Sequence, residues 1–246
     1  MPLPLADRIA LVTGASRGIG HATAVALAQA GAHIVAVART TGGLEELDDR
    51  IRALGGSATL VPLDLKDYAG IDRLGLALHQ RFGRLDVLVA NAGILGPLSP
   101  LAHVEAKAWD DVIAVNVTAN WRLIRAMDQL LKYSDAGRVV LISSGAAASA
   151  PAYWGPYSVS KAALENLART YAAENATTNL RINVFNPGPV RTRMRAQAMP
   201  GEDPLTLDSP ETIAPSIVEL CLPDMQASGK IYSYQQRRFL EFRGPD

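Results

Sequence analysis

Tyr157, Lys161 and Ser144 together offer a phenol, an ammonium and a hydroxyl to one reactive carbonyl. Tyr157-Ser-Val-Ser-Lys161 is the only Tyr-x-x-x-Lys of the chain, and Ser144 lies thirteen residues upstream of the tyrosine. In a helix, residues four apart project from one face, so this spacing sets a proton donor beside a fixed positive charge. A free tyrosine titrates near pH 10, and an opposite charge within about 4 to 6 Å lowers an acid's pKa by about 1 to 3 units. Lys161 is therefore expected to bring Tyr157 toward neutral pH. An ordinary amphipathic helix pair has the same spacing, so the surrounding elements must decide between chemistry and packing.

Those elements alternate along the chain. Apolar runs of strand length fall at Ile9 to Val12, Ile34 to Ala38, Thr59 to Leu63, Val87 to Ala90, Val139 to Ile142 and Ile182 to Phe185. Most are nearly continuous, as strands buried on both faces are. Helical patterning occupies Ile19 to Gln29, Leu44 to Leu54, Ile71 to Arg81, Trp109 to Leu131 and Tyr157 to Asn175. Ser209-Pro210-Glu211 opens a further helix with a capping hydroxyl and a proline at its first position. Repeated βα units predict an α/β fold: one doubly wound parallel sheet of about seven strands, covered by helices on both faces. Such sheets bind ligands at the carboxyl ends of their strands, where the strand order reverses.

Composition narrows the function. With 246 residues and 48% hydrophobic content the chain can bury one large core, so residues 1–246 are taken as a single domain. The formal net charge is zero, which leaves no basic field for nucleic acid and favours a small-molecule partner. Cys221 is the only cysteine, which excludes an internal disulfide and multi-cysteine zinc sites. His21, His33, His79 and His103 have no ligand spacing, so no metal is expected. The stretch from Gly18 to Ala38 is apolar, but His21, Gln29, Gly31 and His33 interrupt it, and a helix, turn and strand are expected rather than a membrane span. The first residues, Met1-Pro-Leu-Pro-Leu-Ala-Asp, carry no secretory pattern, so a cytoplasmic location is expected.

The first strand runs into Thr13-Gly-Ala-Ser-Arg-Gly-Ile-Gly20. Gly14 permits a tight turn, Gly18 allows close approach of a pyrophosphate, and Gly20 lets the following helix pack against the sheet, with Ser16, Arg17 and Ile19 between them. With this turn the chain resembles the short-chain dehydrogenase/reductase family in its compact form. The resemblance runs from about Asp7 to Leu222 and carries the family's markers in order: the glycine turn, Asp64, Asn91-Ala92-Gly93, Asn116, Ser144, Tyr157 with Lys161, and Pro187-Gly188 with Val190 and Thr192.

The resemblance implies a Rossmann-type domain and a nicotinamide cofactor. It assigns Asp64 to the adenine amino group, with Leu65 beside the ring. Asn91, Ala92 and Gly93 support the cofactor, and Pro187, Gly188, Val190 and Thr192 hold the nicotinamide end. Lys161 holds the ribose hydroxyls as well as lowering the pKa of Tyr157. It further implies that Tyr157 acts as general acid in reduction and general base in oxidation. Ser144 would bind the substrate oxygen, its neighbour Ser143 being one residue off the family spacing. Asn116 would hold, through its amide, a water that passes protons to Lys161.

At the end of the second strand an acid would bind a ribose 2′-hydroxyl, but the sequence reads Ala38-Arg39. Arg39 with Arg17 can hold a 2′-phosphate, so NADP(H) is preferred and NAD(H) is the alternative. The expected activity is reversible NADPH-dependent reduction of a carbonyl to an alcohol. The alternatives are an NAD-dependent alcohol dehydrogenase and a non-catalytic NADP(H)-binding regulator.

Substrate contacts are expected from Ile94 to Leu98, from Gly145 to Trp154 with Tyr153 or Trp154 near the substrate, and from a flap between Thr192 and Asp208. These stretches are mostly small and apolar, which predicts a hydrophobic pocket. Residues 235–246, with Arg237, Arg238, Phe239, Phe242 and Arg243, read as a C-terminal interface tail that docks on a neighbouring subunit. The resemblance implies a homodimer or homotetramer built on the long helices.

Overall fold

The computed structural model describes residues 3–242. Along these residues β1 (Ile9–Thr13), α1 (Gly18–Gln29), β2 (His33–Ala38), α2 (Thr41–Ala53), β3 (Ala58–Pro62), α3 (Tyr68–Phe82) and β4 (Val87–Ala90) follow in strict alternation. Then come α4 (Ala106–Ile113), a π-helical turn (Ala114–Thr118), α5 (Ala119–Lys132), β5 (Arg138–Ile142), α6 (Ala146–Ser149), α7 (Gly155–Glu174) and β6 (Arg181–Asn186). The chain closes with α8 (Arg193–Ala198), α9 (Pro210–Cys221), β7 (Ile231–Ser233) and β8 (Arg238–Leu240). All strands form one sheet in the order β3-β2-β1-β4-β5-β6-β7-β8. Pairing is parallel throughout except for the antiparallel β7–β8 pair. The order reverses between β1 and β4, and a crevice must open there.

The continuous apolar runs divide residue by residue between the two faces. Ala10, Val12, Ile34, Ala36, Val87, Val89, Val140 and Phe185 join the core under α1, α2 and α9. Their neighbours Leu11, Val35, Val37, Leu88, Val139, Leu141, Ile182 and Val184 join the core under α3, α5 and α7. Alternation along a strand explains the division, because successive side chains point to opposite faces. Each fully buried Leu or Ile contributes roughly 1.5–3 kcal/mol of transfer free energy.

At the amino ends of the central strands, remote from the crevice, the buried Asp86 ties three segments together. Its carboxylate accepts from Arg8 Nη1 at 3.1 Å, Ser134 Oγ at 2.6 Å and the Ile9 backbone N–H at 2.8 Å. Arg84 Nε reaches both carboxylate oxygens at 3.2 Å. Asp86→Ala strands these donors and is expected to lower stability by about 3 kcal/mol, read as a fall in thermal midpoint of roughly 10 °C.

The structure departs from the sequence expectations in two places. The stretch Trp109 to Leu131 is not one helix, because the π turn at Ala114–Thr118 interrupts it. The sheet has eight strands rather than about seven, since the first part of the expected interface tail folds back as β8. Phe239 meets Tyr232 edge-on at 5.3 Å, and Arg169 lies 4.8 Å above the Phe242 ring. The described part of 235–246 thus covers the protein's own sheet edge, while Arg243 and the residues after it lie outside the described residues. As expected, Gly18 to Ala38 is divided into α1 and β2, and among the described residues no helix is long and apolar enough to cross a membrane.

Candidate active site

The crevice between β1 and β4 is held by a pair of residues at the strand ends. Thr13 Oγ1 accepts from the backbone N–H groups of Asn91 and Ala92, each at 3.0 Å. Asn91 Nδ2 returns a hydrogen bond to the Thr13 carbonyl at 2.9 Å. The glycine turn wraps over this joint. Gly14 has φ +66° and Gly18 φ +58°, a left-handed conformation that side chains disfavour. A Cβ on Gly20 would stand 2.4 Å from both Asn91 Nδ2 and the Gly14 carbonyl oxygen, so α1 approaches the turn only because that position is bare.

A cavity of about 910 Å³ extends from this turn along the carboxyl ends of the strands. One end is lined by Ser16, Arg17, Arg39, Asp64 and Leu65, and the middle by Gly14, Gly18, Ile19, Asn91, Ala92 and Gly93. Ser144, Tyr157 and Lys161 line the other end, opposite Pro187, Gly188, Val190 and Thr192. Every catalytic and cofactor residue named from the sequence therefore borders this one cavity except Gly20 and Asn116. Arg17 and Arg39 are exposed at its mouth, and the Arg39 charge is felt by Lys66. Asp64 also caps a turn, accepting from the Lys66 N–H at 2.9 Å.

At the inner end, β5 and α7 present the reactive groups. Tyr157 and Lys161 share a face of α7 and are both buried, at 8% and 4% exposure. Lys161 Nζ donates to the Ile142 carbonyl at 2.6 Å and lies 5.7 Å from the centroid of the Tyr157 ring. Burial pushes the Lys161 pKa down to about 8, against the attraction of the Glu165 carboxylate. Burial raises the Tyr157 pKa above its ordinary value, and the Ser144 hydroxyl pulls it the other way. The expectation that Lys161 brings Tyr157 toward neutral pH is thus not met in this structure. Desolvation dominates and the Ser144 hydroxyl alone opposes it, so the phenol is held in its protonated form.

Asn116 sits fully buried within the π turn. Its Oδ1 accepts from the Ile94 N–H at 2.8 Å, and Nδ2 donates to the Ile94 carbonyl and to Ser160 Oγ, both at 2.9 Å. The amide expected to hold a water is instead engaged with protein, clamping the segment after β4 to α7. The π turn thus coincides with this inward-facing polar side chain, and such turns are frequent at functional sites.

Beyond the tyrosine, Leu95, Trp154, Met194 and Ala198 give the cavity an apolar stretch of wall, beside Arg193, Arg195 and Gln197. Leu95, Ala146, Tyr157 and Ala198 form one cluster, with Trp154 and Met194 packed against it. Trp154 meets Tyr157 edge-on at 6.0 Å, whereas Tyr153, with φ +72° and 61% exposure, turns outward. Of the two aromatics only Trp154 borders the cavity. Two features escaped the sequence reading: the Thr13–Asn91 joint, and Glu165, which accepts from Ser143 Oγ at 2.7 Å. The spacing of Glu165 four residues after Lys161 was the available signal for the second. Among the described residues no group of three or more His, Cys, Asp or Glu side chains is placed to hold a metal ion.

Comparison with known proteins agrees with this geometry. The family model described as short chain dehydrogenase matches residues 8–203. The chain belongs to the short-chain dehydrogenase family. Within the family, the uncharacterized oxidoreductase YciK of Escherichia coli K12 is 38% identical over 214 residues, covering 86% of this chain and 84% of YciK. An NAD-dependent oxidoreductase of Mycobacterium tuberculosis is 37% identical over 204 residues, covering 77% of this chain and 74% of that protein. A short chain dehydrogenase of Shigella flexneri, crystallised with NADP, superposes with a TM-score of 0.92 at 36% identity, covering 96% of this chain and 100% of that one. The short-chain dehydrogenase fold of this chain thus extends over the whole sheet, including strands beyond residue 203.

Proposed function

We propose that this protein reduces a carbonyl to an alcohol with NADPH. The observation that carries the reading is that one cavity joins a glycine turn and two exposed arginines to a buried Tyr157, Ser144 and Lys161. The cavity fits a dinucleotide: Gly14 and Gly18 adopt the left-handed turn that lets backbone approach a pyrophosphate, and small residues at Ala92 and Gly93 leave its floor open. Arg39 and Arg17 would hold the 2′-phosphate, Asp64 and Leu65 the adenine, and Pro187 to Thr192 the nicotinamide end. The NADP complex of the Shigella relative supports the same choice. When bound, NADPH supplies the hydride.

The chain's own residues supply the proton and the charge. Tyr157 gives its phenolic proton to the carbonyl oxygen as negative charge develops there. Its raised pKa suits this direction, because the phenol is protonated through neutral pH. Ser144 directs its hydroxyl to the same oxygen and stabilises it before and after the transfer. Lys161, fixed on the Ile142 carbonyl, places a positive charge behind the tyrosine. The stretch of wall formed by Leu95, Trp154, Met194 and Ala198 favours an apolar carbonyl compound.

The absorbance of NADPH, followed against ketones, aldehydes, quinones and acyl thioesters, tests the reading. Oxidation of NADPH by at least one class is expected; tight NADPH binding with turnover of none would point instead to a regulator. In the same assay Arg39→Asp is expected to lower the ratio of kcat/KM for NADPH over NADH by about tenfold or more, the worth of a charge-assisted hydrogen bond. An unchanged ratio would remove the phosphate role of Arg39 and favour NAD(H).

A further inference from the structure

Three consecutive residues at the end of β5 each engage a different turn of α7. The Ile142 carbonyl accepts from Lys161, Ser143 Oγ donates to Glu165, and Ser144 faces Tyr157. Tyr157, Lys161 and Glu165 are spaced four residues apart and so follow one another along a single face of the helix. The first two belong to the proposed reaction, and the third has no part in it so far.

The third turn answers a problem left by the second. Lys161 is buried, and its hydrogen bond to one carbonyl does not offset the cost of an ammonium removed from water. We propose that Glu165 is a positioning residue that acts as the half-buried counter-charge of Lys161, held in place by Ser143, and keeps that lysine protonated at working pH. Ser143 is itself fixed: it is buried, and its N–H donates to the Phe185 carbonyl at 2.8 Å. Burial raises the Glu165 pKa, and the Ser143 Oγ, aimed by that anchor and donating to Glu165 Oε1 at 2.7 Å, opposes this and favours the charged carboxylate.

The groups facing the pair are few. From α7 come the Tyr157 ring and the two partners themselves; from β5, Ser143 and the Ile142 carbonyl; from the π turn, the neutral amide of Asn116. Glu165 is the one charge that raises the Lys161 pKa, and Lys161 the one charge that lowers that of Glu165. No direct ion pair joins them among the described residues, so the attraction acts through space along the helix face.

The sign of the effect follows. Burial lowers the Lys161 pKa and Glu165 opposes it, so removing the carboxylate lowers that pKa further. The inference rests on the reductase reading only where it concerns turnover, and its main test needs neither cofactor nor substrate. The chain has five lysines, so the 15Nζ and 13Cε resonances of lysine-labelled protein form a simple spectrum, with Lys161 assigned from a Lys161→Arg variant. In the wild-type protein Lys161 is expected to titrate near pH 8.

In Glu165→Gln, which keeps the shape of the side chain, the midpoint should fall by about one unit, the low end of the range for an opposite charge. Ser143→Ala should move it in the same direction by less and serves if the first variant folds poorly. Glu165→Asp should recover part of the shift. The alkaline limb of kcat/KM for NADPH-dependent reduction should move down by the same amount. A Lys161 midpoint identical in wild type, Glu165→Gln and Ser143→Ala would overturn the proposal, as would a uniform loss of kcat with the limb unmoved. A shifted midpoint in a protein that reduces no carbonyl would uphold the charge assignment and remove the reductase reading alone.

Discussion

Tyr157→Phe is expected to lower kcat for carbonyl reduction by about a thousandfold, within the range of 10²–10⁴ that a positioned general acid contributes. The substitution removes one oxygen and leaves the ring, its edge-on contact with Trp154 and its place in the apolar wall unchanged. NADPH binding and the thermal midpoint should therefore stay close to wild type, so that the loss is confined to chemistry. Steady-state kinetics at saturating NADPH, together with a fluorescence titration of the cofactor, separate the two. Near wild-type kcat in the phenylalanine variant would show that the proton comes from elsewhere and would end the proposed mechanism.

Gly20→Ala is expected to weaken NADPH binding at least tenfold and to lower stability by about 1–3 kcal/mol, the usual cost of overpacking. The reason is spatial. The new methyl group would overlap the Asn91 amide and the Gly14 carbonyl, the two groups that hold the glycine turn against the β1–β4 crevice. Relief requires α1 to move away from the sheet, and the cradle of the pyrophosphate moves with it. Fluorescence titration and a thermal melt measure both effects; a variant that binds NADPH as tightly as wild type would show that the turn has slack that the packing around Gly20 does not reveal.

The elements were legible because each depends on local pattern. β4 spans Val87–Ala90 as its apolar run predicts, and α9 begins at Pro210 with Ser209 Oγ accepting from the Thr212 N–H at 3.3 Å. The long helix before β5 is interrupted because the π turn goes with Asn116 bonding Ile94, a contact across 22 residues that no helical period encodes. The strand within the tail was missed for a related reason. Its basic and aromatic residues suit an interface, and only the free edge of β7 turns Arg238–Leu240 into a strand of the same sheet.

By itself the sequence determined the alternation of strands and helices, the family, and nearly every residue along the cavity, since glycine turns and the Tyr-x-x-x-Lys spacing have local backbone meaning. Tertiary structure alone decided the charge state of the site. The pKa of Tyr157 is raised and that of Lys161 lowered by burial, and burial is a sum over β5, α7 and the π turn rather than a property of residues four apart. It also decided the partner of Ser143, which the sequence offered as a second-choice neighbour of Ser144. Folding β5 against α7 gives it to Glu165.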